Sequence, residues 1–115
     1  MALRLVEAQH SRLRLHQSAE RWSDLERLFK VLANETRLRM LNELETAGEL
    51  CVSDLADAID MAPQAVSNQL QRLVDRRIVA VRRDGNFSYY RIIDPCVPGL
   101  LDLGACLINE TGDAR

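Results

Sequence analysis

Three cysteines are the side chains of this 115-residue chain that could carry the most varied chemistry. They stand at Cys51, Cys96 and Cys106, and an odd number of cysteines does not fit a framework of paired disulfides. In a reducing compartment such thiols serve as metal ligands, as redox-active groups or as small buried apolar side chains. The sequence alone leaves all three roles open.

Arginines form the second group with a recognisable chemistry. Six of them lie between Arg72 and Arg91 beside only two acids, Asp75 and Asp84, which gives this segment a local charge of +4. The whole chain has a net charge of -2, so the remaining residues carry -6. A guanidinium matches the geometry of phosphate oxygens with two parallel hydrogen bonds. The segment therefore favours contact with nucleic acid over a set of merely solvated arginines.

Helical spacing of apolar residues surrounds this basic segment. The pattern predicts one helix over residues 22–32 and a second over residues 34–48, which has an asparagine cap and a closing glycine. A short helix over residues 53–59 and a longer one over residues 63–73 follow after a break. Two helices joined by so short a turn are typical of a helix-turn-helix, although an ordinary helical hairpin has the same spacing.

The residues that follow favour the helix-turn-helix. Residues 78–83 alternate as a strand, Asp84-Gly85 is a favoured two-residue hairpin turn, and residues 87–93 form the return strand. A helix-turn-helix followed at once by a hairpin is a winged helix. An apolar stretch over residues 97–108 predicts one last helix.

Length and composition agree with this architecture. A chain of 115 residues is sufficient for one core, and 47% hydrophobic residues with only 4% aromatics indicate helix-rich packing. We therefore expect a mostly α fold with a small β-hairpin, a winged helix-turn-helix. Three parts are expected: an N-terminal helical arm (1–20), a winged helix-turn-helix core (21–94), and a C-terminal dimerisation helix with a tail (95–115).

Several functional classes are not expected. No apolar run is long enough for a membrane span, and the charged N-terminus is unlike a signal peptide, so we expect a cytoplasmic protein without a membrane partner. An enzyme is not expected either, because no acid–base constellation and no phosphate-binding glycine loop are visible. A winged-helix module that binds another protein remains as the alternative class.

At this point the chain resembles the ArsR/SmtB metalloregulators. The likeness spans about residues 25–110 and is carried by the segments LFKVLANETRLRMLNEL, ELCVSDLADAI, APQAVSNQLQRL and RRDGNFSYYRI. It implies a homodimer with both terminal helices in the interface, which represses transcription at an inverted-repeat operator and dissociates when an effector binds. One departure is visible: relatives often have Ser-x-His or Ser-His where this chain has Ser67-Asn68-Gln69.

The longer helix of the helix-turn-helix predicts how double-stranded DNA would be read. Four of its polar side chains point away from its apolar stripe and can reach base edges in the major groove: Gln64, Ser67, Asn68 and Gln71. Nearby basic residues would contact the phosphate backbone: Arg72, Arg76, Arg82 and Arg83. Asn86 of the wing is a further candidate for DNA binding.

The resemblance also implies an effector site at the last helix. Asp94 and Cys96 stand where relatives carry Asp-x-His, and Glu110 follows at the family's spacing, but Leu107 occupies the position of the second histidine. Cys106 is the neighbouring ligand. Two antiparallel final helices in a dimer would bring Cys96 of one chain near Cys106 of the other. Such a site would take a thiophilic ion such as zinc, cadmium, lead or copper(I).

A second, weaker site resembles the family's other metal position. Cys51 and Asp54 would be its ligands from the segment ELCVSDL, completed by His10 or His16 of the N-terminal arm. Two alternatives to metal binding stay open for the cysteines: reversible thiol oxidation or persulfide formation, which would make a redox-responsive repressor, and simple packing.

Overall fold

The computed structural model describes residues 19–113. In this part of the chain the elements follow in the order α1 (Ala19–Leu32), α2 (Glu35–Ala47), β1 (Leu50–Cys51), α3 (Val52–Ile59), α4 (Pro63–Asp75), β2 (Val79–Asp84), β3 (Phe87–Ile92) and α5 (Cys96–Asp113). The predicted order of helices and hairpin is confirmed. Most of the expected N-terminal arm, residues 1–18, lies outside the described residues.

The ends of α2 are set by two residues that the sequence singled out. The side chain of Asn34 accepts a hydrogen bond from the backbone N–H of Arg37 at 3.0 Å, which satisfies one of the unpaired donors at the start of the helix. Gly48 ends the helix at a φ of +87°, a conformation that residues with a Cβ rarely adopt. Both capping predictions are confirmed.

Helix α4 ends in a tight reversal that leads directly into β2. The N–H of Ile78 donates to the carbonyl of Leu73 at 3.0 Å, and the N–H of Arg77 donates to that of Val74 at 2.9 Å. These two bonds form a Schellman motif, in which Arg77 takes the left-handed position at a φ of 59°. The wing therefore begins at a fixed angle to α4 with no flexible linker between them.

The hairpin turn differs by one position from the prediction. Asp84 pairs with Phe87 as the last pair of the β2–β3 ladder, so the two-residue turn is Gly85-Asn86 and not Asp84-Gly85. Gly85 has a φ of +64°, and Asn86 is not among the residues with positive φ. A positive φ at the first position only is the pattern of a type II′ turn, which favours glycine there.

The sheet has a third strand that the sequence pattern did not predict. Its strand order is β1-β3-β2, with Leu50 opposite Tyr90 and Cys51 opposite Tyr89. Strand β1 has only two residues, which is too short to show an alternating pattern. It joins the hairpin to the α2–α3 connection and so attaches the wing to the helical body at a second place.

The core is built from the apolar faces of the helices. Helix α4 contributes Val66, Leu70 and Leu73, each with no measurable exposure, and α5 contributes Val97 near its N-terminus. No polar side chain among the described residues is buried. The orientation of every helix is thus fixed by hydrophobic burial, with the polar side chains left on the outside.

No helix among the described residues is both long and apolar enough to cross a lipid bilayer.

Replacing Leu70 by alanine tests whether this stripe anchors α4. We expect Leu70→Ala to lower the free energy of unfolding by about 2–5 kcal/mol, because it leaves a cavity in the core. The neighbouring exposed change Gln71→Ala is the control and should stay within about 0.5 kcal/mol of wild type. Urea denaturation followed by circular dichroism measures both. Equal effects of the two substitutions would contradict the assigned rotation of α4.

Candidate nucleic-acid interface

The outward face of α4 is polar along its whole length. Gln64, Asn68 and Gln71 are exposed, opposite the buried stripe. The amide of Gln64 donates to Asn68 Oδ1 at 3.1 Å, and the amide of Gln71 donates to Asp75 Oδ1 at 2.9 Å. Each donating amide uses one N–H in these bonds and keeps its second N–H and its carbonyl oxygen for a base edge.

Ser67 lies on the side of α4 that faces the wing. It is half-buried and lines a cleft of about 420 Å³ together with Asn86 and Phe87 of the hairpin and with Cys51. The fold therefore brings together two residues predicted to contact DNA, Ser67 and Asn86, which are 19 positions apart in the chain. The cleft has α4 on one side and the wing on the other.

Arg82 is held by three neighbours within the protein. Its guanidinium donates two hydrogen bonds to the carboxylate of Glu49, at 2.8 and 3.2 Å, and lies 3.6 Å from the carboxylate of Asp84. It also stacks on the ring of Tyr89 at 4.8 Å, as expected for residues that face each other across the β2–β3 ladder. Its charge is thus largely balanced inside the molecule.

The same pairing acts on the acid. The hydrogen bond from Arg82 has the largest effect on Glu49 and lowers its pKa below the ordinary value. Burial opposes this shift, and the charges of Arg82 and Arg91 lower the pKa further. Glu49 is therefore a carboxylate throughout the neutral range. Two hydrogen bonds therefore join Glu49, directly before β1, to Arg82 of the wing.

Three other predicted phosphate contacts are exposed: Arg72, Arg76 and Arg83. None of them forms a salt bridge with another residue of the described part of the chain. Arg83 lies on the wing opposite Ser88, whereas Arg72 and Arg76 lie on the last turn of α4 and just beyond it. The exposed cations therefore occupy two separate places, one on each side of the outward face of α4.

Sequence reasoning missed the contact that ties α4 to the first two helices. Arg37 donates from Nη1 to Oε1 of Gln69 at 2.6 Å, and its other guanidinium nitrogens donate to the carbonyls of Val31 and Lys30 at the end of α1. One side chain thus satisfies two unpaired carbonyls of α1 and positions a residue of α4. The 32-residue separation of Arg37 and Gln69 left no local signal for this bond.

Asp94, a predicted effector ligand, has a structural role at the start of α5. Its Oδ1 accepts the backbone N–H of Cys96 at 2.8 Å and so caps the helix. Burial raises the pKa of the Cys96 thiol, and the hydrogen bond and negative charge of Asp94 raise it further. A smaller thiolate fraction makes Cys96 a slower nucleophile, so an ion that binds it must displace a proton.

A single protomer does not assemble the predicted effector site. Cys96 and Cys106 stand ten residues apart on α5, about 15 Å along the helix axis. No group of three or more His, Cys, Asp or Glu side chains in the described part of the chain is arranged to hold a metal ion. Glu110 lies on α5, but its side chain is not among those described. A site that used both Cys96 and Cys106 would therefore need ligands from two chains, as the sequence analysis expects.

The predicted second site is only partly within the described residues. Cys51 is 6% exposed, and its Sγ lies 3.4 Å from the hydroxyl of Ser53. Asp54 is exposed one turn further along α3. His10 and His16 lie outside the described residues. Cys51 is thus a small buried side chain that lines the cleft between α4 and the wing.

This geometry defines a class of protein. A short helix and a second helix with a polar outward face, followed at once by an arginine-bearing hairpin, form a winged helix-turn-helix of the kind found in DNA-binding regulators.

Comparison with known proteins identifies the family. The model for "Bacterial regulatory protein, arsR family" matches residues 34–81. The arsenical resistance operon repressor of Bacillus subtilis is 35% identical over 83 residues, 72% of this chain and 79% of that protein. The chain therefore belongs to the ArsR family, and it is a transcriptional repressor and not an enzyme.

Solved structures agree with this assignment. The crystal structure of the AntR antimony-specific transcriptional repressor is similar with 56% identity and a TM-score of 0.76, covering 84% of this chain and 86% of that one. A homodimeric winged helix-turn-helix DNA-binding domain from Mycobacterium bovis has 33% identity and a TM-score of 0.73, covering 86% and 94%. The predicted fold class, a mostly α winged helix-turn-helix, is confirmed.

The link between Glu49 and Arg82 predicts a defined pH dependence. Because the pKa of Glu49 is depressed in the folded state, its contribution to stability is present at neutral pH and is lost as pH falls through the folded pKa. We therefore expect Glu49→Gln to be less stable than wild type at neutral pH and equal to it in acid. Urea unfolding over a pH series measures the difference.

Arg82→Gln serves as the companion variant in that series. Like Glu49→Gln, this variant should be less stable than wild type at neutral pH and equal to it in acid. The reason is that the partner that depresses the pKa of Glu49 is gone. A gap between wild type and Glu49→Gln that stays constant from neutral to acidic pH would contradict the assignment.

Proposed function

We propose that two copies of this chain, related by a two-fold axis, bind an inverted-repeat operator and repress transcription until a thiophilic ion releases them. The observation that carries the proposal is that α4 and the wing lie side by side: Ser67 and Asn86 line the same cleft. The tight reversal at Arg77 and Ile78 connects the two elements directly. A two-fold pair of such surfaces requires two half-sites of opposite direction. Residues 21–94 would read DNA, and residues 95–115 would join the two chains.

Exposed apolar side chains on both terminal helices support the dimer. Trp22 and Phe29, 54% and 47% exposed, stand two turns apart on one side of α1. On α5, Val97 and Leu101 pack on the core, whereas Ile108 continues the same side of the helix beyond the core and is 72% exposed. A second chain that covers these surfaces removes apolar area from water. The homodimeric relative from Mycobacterium bovis supports this arrangement.

The roles of the DNA-binding residues follow from their positions. Gln64, Ser67, Asn68 and Gln71 would contact base edges, where amide groups pair with adenine through two hydrogen bonds. The phosphate contacts would come from Arg72, Arg76, Arg82, Arg83 and Asn86. Arg82 offers less net positive charge to DNA than Arg83 does, because Glu49 and Asp84 balance its charge. Its contact with Glu49 also fixes the position of the wing.

The effector site would lie between the two copies of α5. If these helices cross in an antiparallel sense near Leu101, Cys96 of one chain approaches Cys106 of the other, with Asp94 and Glu110 nearby. Thiolate ligands select soft and borderline ions. The repressors of arsenical resistance and of antimony response among the relatives support a thiophilic ion or metalloid as effector. Zinc, cadmium, lead and copper(I) belong to the same chemical class.

Substitutions on α4 and on the wing should affect DNA binding differently. Asn68→Ala should weaken binding to the specific site by about 1–3 kcal/mol for each half-site and leave non-specific binding unchanged, since it removes one base contact from each protomer. Arg83→Gln should weaken both and reduce the slope of log K against log salt concentration by about 2, one phosphate per protomer. Fluorescence anisotropy with specific and scrambled duplexes over a salt series gives both quantities.

The matched control for these variants is Glu45→Gln, an exposed change on α2 that lines neither of the two clefts beside α4. It should leave the specificity ratio at the wild-type value. If Asn68→Ala and Arg83→Gln changed neither the specificity ratio nor the salt slope, α4 and the wing would not be the reading surface, and binding to another protein would become the better account.

Release of the operator should depend on the cysteines of α5. We expect Cys96→Ser and Cys106→Ser each to raise the concentration of ion needed for release by at least about 10-fold, because each removes a ligand from both sites of the dimer. Trivalent antimony and arsenic, cadmium, zinc, lead and a persulfide donor would be titrated in parallel. Cys51→Ser is the matched control and should leave release by the effective ion unchanged.

Two outcomes would contradict this effector site. Release that survives both α5 substitutions but is lost in Cys51→Ser would move the site to the cleft beside α4. Release by the persulfide donor alone would replace ion sensing with thiol oxidation chemistry.

A further inference from the structure

We propose that a basic cleft on the side of α4 opposite the wing binds the phosphate backbone of the second DNA strand, with Lys30 as an additional contact residue. The cleft has a volume of about 340 Å³ and is lined by Lys30, Val31, Arg37, Arg72, Asp75 and Arg76. It joins the end of α1 and the start of α2 to the last turn of α4. This inference rests on the proposed DNA-binding function and extends its contact surface to α1.

The charge in the cleft is strongly positive. Four of its six lining residues are cations and only Asp75 is an acid. The carboxylate of Asp75 accepts a hydrogen bond from Gln71, which directs one of its oxygens along α4. Lys30 is exposed and has one distant pairing, 3.7 Å from Glu26. Such a loose exposed pair is readily exchanged for a phosphate.

Arg37 forms the preorganised part of the cleft. Its guanidinium is fixed by Gln69 of α4 and by the carbonyls at the end of α1, so it does not extend outward. It holds α1 and α4 at a fixed separation and adds a positive charge behind the exposed cations Lys30, Arg72 and Arg76. The three exposed side chains are therefore displayed from two helices whose distance is set in advance.

The position of the cleft around α4 matches the geometry of a major groove. The line of exposed side chains from Gln64 to Asp75 runs down the middle of the outward face. Ser67 and Arg72 lie on opposite sides of that line, each about 70° from it around the helix axis. Ser67 lines the cleft that holds the wing, and Arg72 lines the basic cleft.

A helix that lies in a major groove has one sugar–phosphate backbone on each side, because the groove is only about 12 Å wide. The wing with Arg83 serves one of these backbones. The basic cleft is in place for the other, and the occupant it fits is a phosphodiester of the duplex. Each protomer would thus hold both strands of its half-site.

Two cation substitutions test the proposal. Lys30→Gln and Arg76→Gln should each reduce the slope of log K against log salt concentration by about 2 for the dimer, with little change in the preference between duplex sequences. Arg27→Gln, an exposed arginine on α1 that does not line the cleft, is the matched control and should leave the slope unchanged. Asp75→Asn should act in the opposite direction and tighten binding, whereas Glu45→Gln should not.

Phosphate ethylation interference identifies which strand each residue contacts. In wild type, ethylation should interfere at phosphates on both sides of the groove in each half-site. Arg83→Gln should lose the interference on one side, and Lys30→Gln should lose it on the other.

The possible results separate this inference from the proposed function. If wild type binds the operator and Lys30→Gln changes neither slope nor interference pattern, α1 is not a DNA contact and this inference fails, while repression through α4 and the wing stands. A null result for Arg76→Gln as well would also remove the phosphate role proposed for Arg76. If Lys30→Gln and Arg83→Gln lose the same phosphates, the two-strand arrangement is wrong. If wild type binds no duplex, both the function and this inference fail.

Discussion

The buried stripe of α4 determines the rotation of this helix about its own axis. Val66, Leu70 and Leu73 are fully enclosed, and the periodicity of an α-helix then leaves Gln64, Asn68 and Gln71 on the outside. Rotation of α4 by one residue position would place amides in an apolar core, where polar groups without partners cost free energy. The outward face is therefore defined by what the inward face must bury.

Contacts on both sides of α4 fix the positions of the elements next to its outward face. The Schellman motif fixes the angle at which the wing leaves the helix, and the paired Glu49 and Arg82 attach the wing to the start of β1. On the other side, Arg37 binds Gln69 and the end of α1. Hydrogen bonds of charged groups are stronger than neutral ones, so both attachments resist movement of the wing and of α1 relative to α4. If α5 holds the effector site proposed above, its signal would act by moving whole elements.

A physical route for such movement exists within the described core. Val97 of α5 belongs to the same buried cluster as Leu70 and Leu73 of α4. Capture of an ion at the start of α5 would compete with the cap that Asp94 provides and would shift this helix. Because a close-packed core transmits displacement, the shift would reach α4 in both chains. The effector and the DNA would then favour different arrangements of the same dimer.

The sequence predicted the parts of the fold that depend on neighbours in the chain. The ends of α2 could be predicted from Asn34 and Gly48, and α4 could be predicted from its apolar spacing. These signals are local in the chain. The position of the hairpin turn was wrong by one residue, since Asp84 remained in the ladder with Phe87. Strand β1 was missed because two residues show no alternation.

Contacts between distant residues could not be predicted. The Arg37–Gln69 and Arg82–Glu49 contacts join residues that are 32 and 33 positions apart, and only the assembled fold shows them. The basic cleft has the same origin, because Lys30 and Arg76 come from different helices. The family resemblance supplied the candidate ligand positions at α5, and the fold adds that Cys96 and Cys106 of one chain stand ten residues apart on this helix.

The spacing between half-sites tests the central claim, a rigid two-fold pair of reading surfaces, more directly than any substitution. An inverted repeat selected from random duplexes would be lengthened at its centre by about 5 base pairs, which turns one half-site to the opposite face of the DNA. We expect this half-turn insertion to reduce affinity to the non-specific level. A full-turn insertion differs because it separates the two half-sites but keeps them on the same face of the DNA. Unchanged affinity with the half-turn insertion would contradict the central claim, because the two surfaces would then act independently.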